Sequence, residues 1–216
     1  MKPQGSRVRA VLLDWDGTLL NSYEADIRAY LPMLHALGIN WGIPELKRWY
    51  SPDWHRIYRA AKIPYAKWPD ADRLWEQAYR KERPPLLPGA RRVVKLLSRT
   101  FLLSLVTGGS RRRVHGQLRA FKLGQYFRVC VCSEDAYRKK PHPAPLQLAM
   151  KLLRLSPEEC IYVGDAPEDI EMARRASVRA VAVLGPFPTA DRVRAARPEA
   201  LLASIRELPR YLRTRA

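Results

Sequence analysis

Five short runs in this chain are apolar almost from end to end, and a segment of helix length or longer separates most of them. They are VRAVLLD (8–14), FLLSLVT (101–107), VCVC (129–132), CIYVGD (160–165) and RAVAVLG (179–185). A strand with one wet face alternates apolar and polar residues. A strand that is apolar throughout is covered on both faces, as in a parallel sheet between two helical layers. The segments Gly89–Arg99, Ser110–Ala120, Pro143–Arg154 and Pro167–Ala176 carry helical patterns, with Pro and Gly at or beside their ends. The alternation predicts an α/β chain: a doubly wound, Rossmann-like core with a parallel sheet.

One stretch breaks the pattern. Residues 20–86 hold no strand-like run but several helical ones, punctuated by Pro32, Gly42, Pro44, Pro52, Pro64 and Pro69. The expectation is a helical cap domain inserted after strand one, with residues 1–19 and 87–216 forming the core. A chain of 216 residues is long enough for both. The insert carries Trp41, Trp49, Trp54, Trp68 and Trp75, five of the six tryptophans. Small helical domains need bulky side chains for a core, and that reading is preferred to a stacking platform for substrate.

In an open parallel sheet, ligands bind beyond the carboxyl ends of the strands, so the residues that close each strand matter most. Strand one ends in Asp14-Trp15-Asp16-Gly17-Thr18. Carboxylates two apart on an extended segment point the same way, and beside a cation one can act as nucleophile or ligand while the other moves protons. The same D-x-D-G pattern also occurs in turns and calcium loops, so alone it leaves the choice open. Gly17 permits a sharp exit after which Thr18 and Leu19 turn away.

Strand two ends in Thr107-Gly108-Gly109-Ser110 before a helix. That is either an anion site of hydroxyl and backbone N–H groups or a glycine turn with Ser110 as helix cap. Lys140, in Lys139-Lys140-Pro141-His142-Pro143, sits on a stiff loop where an ammonium can neutralise a phosphoryl group, unless the lysine pair is simply solvated. His142 reads as a loop residue. Strand four ends in Gly164-Asp165, with Asp169 four residues on; Glu168 reads as solvent-facing or as a first-turn dipole partner. Hard oxygen ligands of this kind suit Mg²⁺ rather than zinc.

Taken in order, D-x-D-G-T-L, V-T-G-G-S, K-K-P-H-P and V-G-D-x-x-x-D-I-x-M-A-R resemble the haloacid dehalogenase-like superfamily. The position of the insert is similar to the cap of its phosphoglycolate phosphatase and β-phosphoglucomutase branch. The resemblance runs from about Val8 to Gly185. It implies a Mg²⁺-dependent phosphatase that hydrolyses a small phosphomonoester. Asp14 would be the nucleophile that forms an aspartyl-phosphate, and Asp16 the general acid and base. Thr107, Gly108, Gly109 and Lys140 would hold the phosphoryl group, Lys140 also orienting Asp14. Asp14, Asp16 (through its backbone carbonyl) and Asp165 would hold the metal, with Asp169 in support. The chain departs from the family pattern at Trp15, at Gly108-Gly109 where Asn often follows the hydroxyl residue, and at Ser177, a position usually filled by glycine. A phosphomutase of the same family is the alternative. It keeps both aspartates but needs cap residues that retain a bisphosphate, and no such motif is evident.

Charge supports a further alternative. Against 39 Lys+Arg stand 21 Asp+Glu, a net +18, which by itself suggests a polyanion- or nucleic-acid-binding protein on a phosphatase scaffold. The excess is uneven: residues 1–86 carry +4 and residues 87–216 carry +14. It reads mainly as a basic surface that draws in anionic phosphoesters. Of Arg111-Arg112-Arg113, Arg111 is the expected contact for an anionic substrate. No run approaches a membrane span, and the basic N-terminus lacks the long apolar stretch of a secretory signal. Cys130, Cys132 and Cys160 have no zinc-ligand spacing and read as buried thiols in a reducing cytoplasm. A monomer or small homo-oligomer is expected.

Overall fold

A computed structural model of the chain describes residues 8–51 and 53–213; Pro52, Arg215 and the basic N-terminal stretch through Arg7 lie outside these. The chain divides into two compact units, residues 1–20 with 86–216, and residues 21–85. The first unit opens with β1 (Ala10–Leu13). The second holds α1 (Tyr23–Ala36), α2 (Ile43–Trp49), α3 (Trp54–Ala60) and α4 (Trp68–Tyr79). The first unit then continues through α5 (Ala90–Leu97), β2 (Leu102–Val106), α6 (Arg111–Ala120), β3 (Val129–Val131), α7 (Ala144–Leu153), β4 (Cys160–Gly164), α8 (Pro167–Arg175), β5 (Arg179–Val183), α9 (Ala190–Ala195), β6 (Ala200–Leu202) and α10 (Leu208–Arg213).

The strands form one sheet in the order β3-β2-β1-β4-β5-β6, every pair parallel. This is the doubly wound α/β fold predicted from the apolar runs. Alternate residues of each strand feed different layers. Val11, Leu13, Ile161, Val163, Val181 and Val183 pack with α5, α6 and α10. Ala10, Leu12, Cys160, Tyr162, Ala180 and Ala182 pack with α7, α8 and α9. Both faces are dry, which is why the runs lack alternation.

Two features were not visible in the sequence. β6 extends the sheet by three residues, with Leu201 exposed; it pairs on one side only and is too short to carry a periodic signal. α9 and α10 emerge from the Arg-rich stretch because Val193, Leu208 and Leu212 are buried beneath it. After α8, Ser177 takes a left-handed φ of 58°, a conformation that favours glycine.

In the second unit the tyrosines go deepest. Tyr23, Tyr30, Tyr50, Tyr58 and Tyr79 are buried with Ile27, Met33, Leu46 and Ile57, whereas all five tryptophans are half-buried. Trp54 and Tyr58 both donate to Asp72 (3.0 and 2.8 Å), and Trp68 donates to the Ile63 carbonyl (3.1 Å). Trp68 stacks on His55 with ring centroids 4.3 Å apart, and Trp75 on Tyr79 at 4.7 Å. Trp54, Tyr58 and the Trp68–His55 stack tie α3 to α4, while the Trp75–Tyr79 stack lies within α4.

Candidate active site

The sheet order reverses direction between β1 and β4, and at such a switch point the connections leave to opposite sides and open a crevice at the carboxyl ends. Leu13 pairs with Val163, and the Asp14 amide donates to the Val163 carbonyl (2.9 Å). This register sets Asp14 beside Gly164-Asp165. Asp14, Asp165 and Asp169, all buried, can each bring an oxygen within 4.8 Å of the other two. Two stretches of sequence about 150 residues apart thus converge on one acidic cluster.

Lys140 enters this cluster. Its ammonium donates to Asp14 Oδ1 (2.7 Å), Asp169 Oδ1 (2.8 Å) and the Tyr162 hydroxyl (2.7 Å). The lysine is therefore buried and paired, not solvated. Burial alone would lower its pKa, but the carboxylates of Asp14 and Asp169 outweigh burial and hold it above the ordinary lysine value. Asp169 is fully engaged: Oδ1 also accepts from Tyr162 (2.9 Å), and Oδ2 accepts from the Asp165 and Ala166 amides (3.2 and 3.1 Å). Gly164 makes that fold-back possible, since a Cβ there would sit 2.4 Å from Asp169 Oδ2.

Asp165 is held differently. Its Oδ1 accepts from the Thr18 hydroxyl (3.1 Å), its backbone carbonyl accepts from the Thr189 hydroxyl (3.0 Å), and its Oδ2 lies against Gly17. At φ 78°, and with a Cβ placed 2.1 Å from that oxygen, position 17 admits no larger residue without a shift. Thr18 thus turns toward the site, not away from it. Burial drives the Asp14 carboxyl up to about 7, Lys140 pulling against it, and holds Asp165 well above the usual carboxylate range. Buried carboxylates that resist ionisation on their own form a donor set that a hard divalent cation compensates, so these residues fit one.

Asp16 points elsewhere. Both its oxygens accept from Arg113, Nη1 to Oδ1 at 2.8 Å and Nη2 to Oδ2 at 2.6 Å. Arg111, by contrast, pairs with Asp135, and both oxygens of Glu134 lie 3.0 Å from the Arg111 amide. The arginine at the site is therefore Arg113. Glu134 caps α6, where Ser110 makes no side-chain capping bond. Thr107 is buried beyond the end of β2, and its hydroxyl accepts from the Gly109 amide (3.0 Å) in the turn that includes Gly108. His142 stays in its loop, its Nδ1 accepting from the Ala144 amide (3.2 Å). Glu168 accepts from Arg192 (3.0 Å). Trp15 is fully buried, and its indole donates to Gln117 Oε1 (2.8 Å).

Sequence reasoning passed over Tyr162 and Thr189, turned Thr18 away from the site and preferred Arg111 to Arg113. Tyr162 carried a usable signal: a hydroxyl inside an otherwise apolar strand needs a partner, and strand-end polar groups were the nearest available. Nothing in the local sequence separates Arg113 from its two neighbours.

A family model described as "Haloacid dehalogenase-like hydrolase" matches residues 11–183. The chain is 29% identical to the pyrophosphatase PpaX of Bacillus mycoides over 207 residues, covering 94% of this chain and 95% of that protein. It is 30% identical to PpaX of Bacillus anthracis (strain CDC 684) over 182 residues, covering 82% and 83%. Among solved structures, a predicted phosphatase from Clostridium acetobutylicum superposes with a TM-score of 0.87 at 20% identity, covering 97% of this chain and all of the other. CbbY from Rhodobacter sphaeroides, crystallised with phosphate, superposes with a TM-score of 0.80 at 24% identity, covering 93% and 96%. With the match running from the first strand through the fifth, and so across all four strand-end stations, the chain belongs to the haloacid dehalogenase-like hydrolase family.

Proposed function

We propose that this protein is a Mg²⁺-dependent phosphatase that moves a phosphoryl group from a small phosphoester or diphosphate to Asp14 and then to water. The observation that carries the proposal is the buried Lys140–Asp14 pair at the switch point, with Asp165 beside it. A carboxylate fixed through one oxygen presents the other in a constant direction, as in-line displacement at phosphorus requires.

Lys140 takes Oδ1 of Asp14, and Oδ2 is the oxygen we assign to attack. The new O–P bond forms as the bond to the leaving oxygen breaks, and Asp16 gives that oxygen a proton. Water then attacks phosphorus, the Asp14–phosphorus bond breaks, and Asp16 takes the proton from water. Thr107 and the backbone of Gly108 and Gly109 hold the phosphoryl oxygens, and Lys140 balances their charge. Asp14, Asp165 and the Asp16 backbone carbonyl would hold Mg²⁺, which when bound screens the carboxylates and phosphoryl oxygens from one another. Asp169 supports them by fixing Lys140 and the Asp165 backbone.

The helical unit of residues 21–85 is assigned as the cap, and residues 1–20 with 86–216 as the catalytic core. The net charge of +18 favours capture of anionic phosphoesters. Hydrolase is preferred to mutase because relatives 28–30% identical to this chain are pyrophosphatases by name. The three thiols are free, and burial pushes Cys130 up to about 11 and Cys132 and Cys160 up to about 12. Thiols of that kind suit the reducing cytoplasm, where we place the enzyme.

The test is phosphate release from a panel including p-nitrophenyl phosphate, phosphoglycolate and inorganic diphosphate, with and without Mg²⁺. Turnover is expected only with the metal. It should be lost in Asp14→Asn and reduced about 10²–10⁴-fold in Asp16→Asn. No turnover across the panel with Mg²⁺, or full turnover by Asp14→Asn, would sink the proposal.

A further inference from the structure

We propose that Arg113 recognises substrate at this site, holding Asp16 aside until a second anionic group on the substrate takes the carboxylate's place. The inference rests on the phosphatase reading above and adds a substrate class: molecules with a second phosphoryl group adjoining the scissile one, that is, diphosphates.

The Arg113–Asp16 contact is a two-pronged fork at 2.8 and 2.6 Å, with the side chains only 14% and 21% exposed. An exposed arginine would form such a pair loosely; this one is built in. Arg113 lies in the first turn of α6, and its guanidinium packs on the Thr107-Gly108-Gly109 turn. A Cβ on Gly109 would lie 2.3 Å from Nη2. Gln117, one helical turn further on, accepts from the Trp15 indole (2.8 Å) and so ties this face of α6 to the segment carrying both Asp14 and Asp16.

The fork takes up what the proposed chemistry needs from Asp16. A carboxylate accepting from a guanidinium through both oxygens has no proton to hand to a leaving group and no oxygen turned to water. Asp16 must leave the fork for the reaction to run, and a guanidinium only 14% exposed loses its carboxylate there at a cost, with the neutral Gln117 Oε1 still 3.4 Å from Nη1. The exchange therefore needs another anion of matching shape, and a phosphoryl group fits the same fork in the same two-pronged way. Lys140 is committed to Asp14 and Asp169, and Arg111 to Asp135. A lone phosphoryl group on the Thr107 turn offers Arg113 no replacement for Asp16, so the carboxylate leaves the fork against a penalty and the substrate turns over less efficiently. A diphosphate brings the second group that relieves the fork, so binding and release of the general acid become one event.

Binding is the direct test, with non-hydrolysable probes and Mg²⁺ in excess of ligand. By calorimetry, the wild-type protein should bind methylenediphosphonate at least about 30-fold tighter than methylphosphonate. Arg113→Met, which keeps the volume and removes the fork, should shrink that gap to about threefold or less. The kcat/KM ratio of diphosphate to p-nitrophenyl phosphate should fall by a similar factor. If Arg113→Met shows no cooperative thermal transition, Arg113→Lys replaces it and should lose at least about fivefold of the gap. The proposal is overturned by a wild-type protein with no gap, by a gap that survives loss of the fork, or by equal losses on both substrates. Failure of the phosphatase reading itself would show separately, as wild-type protein that releases no phosphate from either substrate.

Discussion

The Lys140 ammonium lies 2.7 Å from Asp14 Oδ1, with the two side chains only 6% and 9% exposed. Taking two charges out of water costs several kcal/mol each, and their attraction offsets this only with further hydrogen bonds. Here Asp169 and Tyr162 supply them. The pair therefore depends on a whole network, and each part of that network makes a measurable prediction.

Replacing Lys140 with Met leaves Asp14 and Asp169 facing each other with no charge between them. Removing one partner of a buried pair costs about 3–5 kcal/mol. Lys140→Met should lose that much stability in urea denaturation, along with phosphatase turnover. A loss below about 1 kcal/mol would mean that the network does not hold the cluster together.

Asp14 makes the metal-free protein sensitive to pH. Its pKa rises from 3.8 to about 7, chiefly through burial, so the folded chain binds more protons than the unfolded chain between those values. The stabilisation is full below about pH 3.8 and is lost as pH rises through about 7, a change of about 4 kcal/mol at most. In chelator, melting temperature should fall between pH 5 and 8, and less steeply in Asp14→Asn. Mg²⁺ added at pH 8 should restore it. Parallel slopes for the two proteins in differential scanning fluorimetry would rule out Asp14 as the source.

Gly164 is the space Asp169 occupies. Gly164→Ala would put a methyl group 2.4 Å from Asp169 Oδ2 and displace the acceptor of the Asp165 and Ala166 amides. Crowding of this kind costs about 1–3 kcal/mol. Thermal unfolding should register that loss, and a variant as stable as the wild type would contradict the contact.

Ser177 predicts the opposite sign. It carries a side chain at φ 58°, where glycine pays no steric penalty. Ser177→Gly should stabilise the protein by about 1 kcal/mol in chemical denaturation with turnover preserved. A destabilised variant would mean that contacts of the Ser177 side chain outweigh the strain.

Much of the core was legible because burial on both faces writes itself directly into composition. β1 to β5 lie within the five runs, and each stops one or two residues before its run ends. β6 was not legible, since Ala200–Leu202 offers three residues and one of them faces water. In the insert, pattern pointed to helices but overstated the depth of the tryptophans. Their large rings lie half-buried between helices, while smaller apolar residues and tyrosines fill the interior.

The order of strand and helix, and the aspartates, threonine and lysine that close the strands, were determined by the sequence alone. These follow from local rules: apolar periodicity, turn chemistry, and polar residues at element ends. Which side chains meet was decided only by tertiary structure. The pairing of Leu13 with Val163 brings Asp14 to Asp165, and the path from β3 to α7 delivers Lys140 between Asp14 and Asp169. Helix rotation decides among three adjacent arginines, because successive residues point about 100° apart around the axis. It turns Arg111 to Asp135 and Arg113 to Asp16, a choice that depends on how α6 packs through Val114 and Leu118.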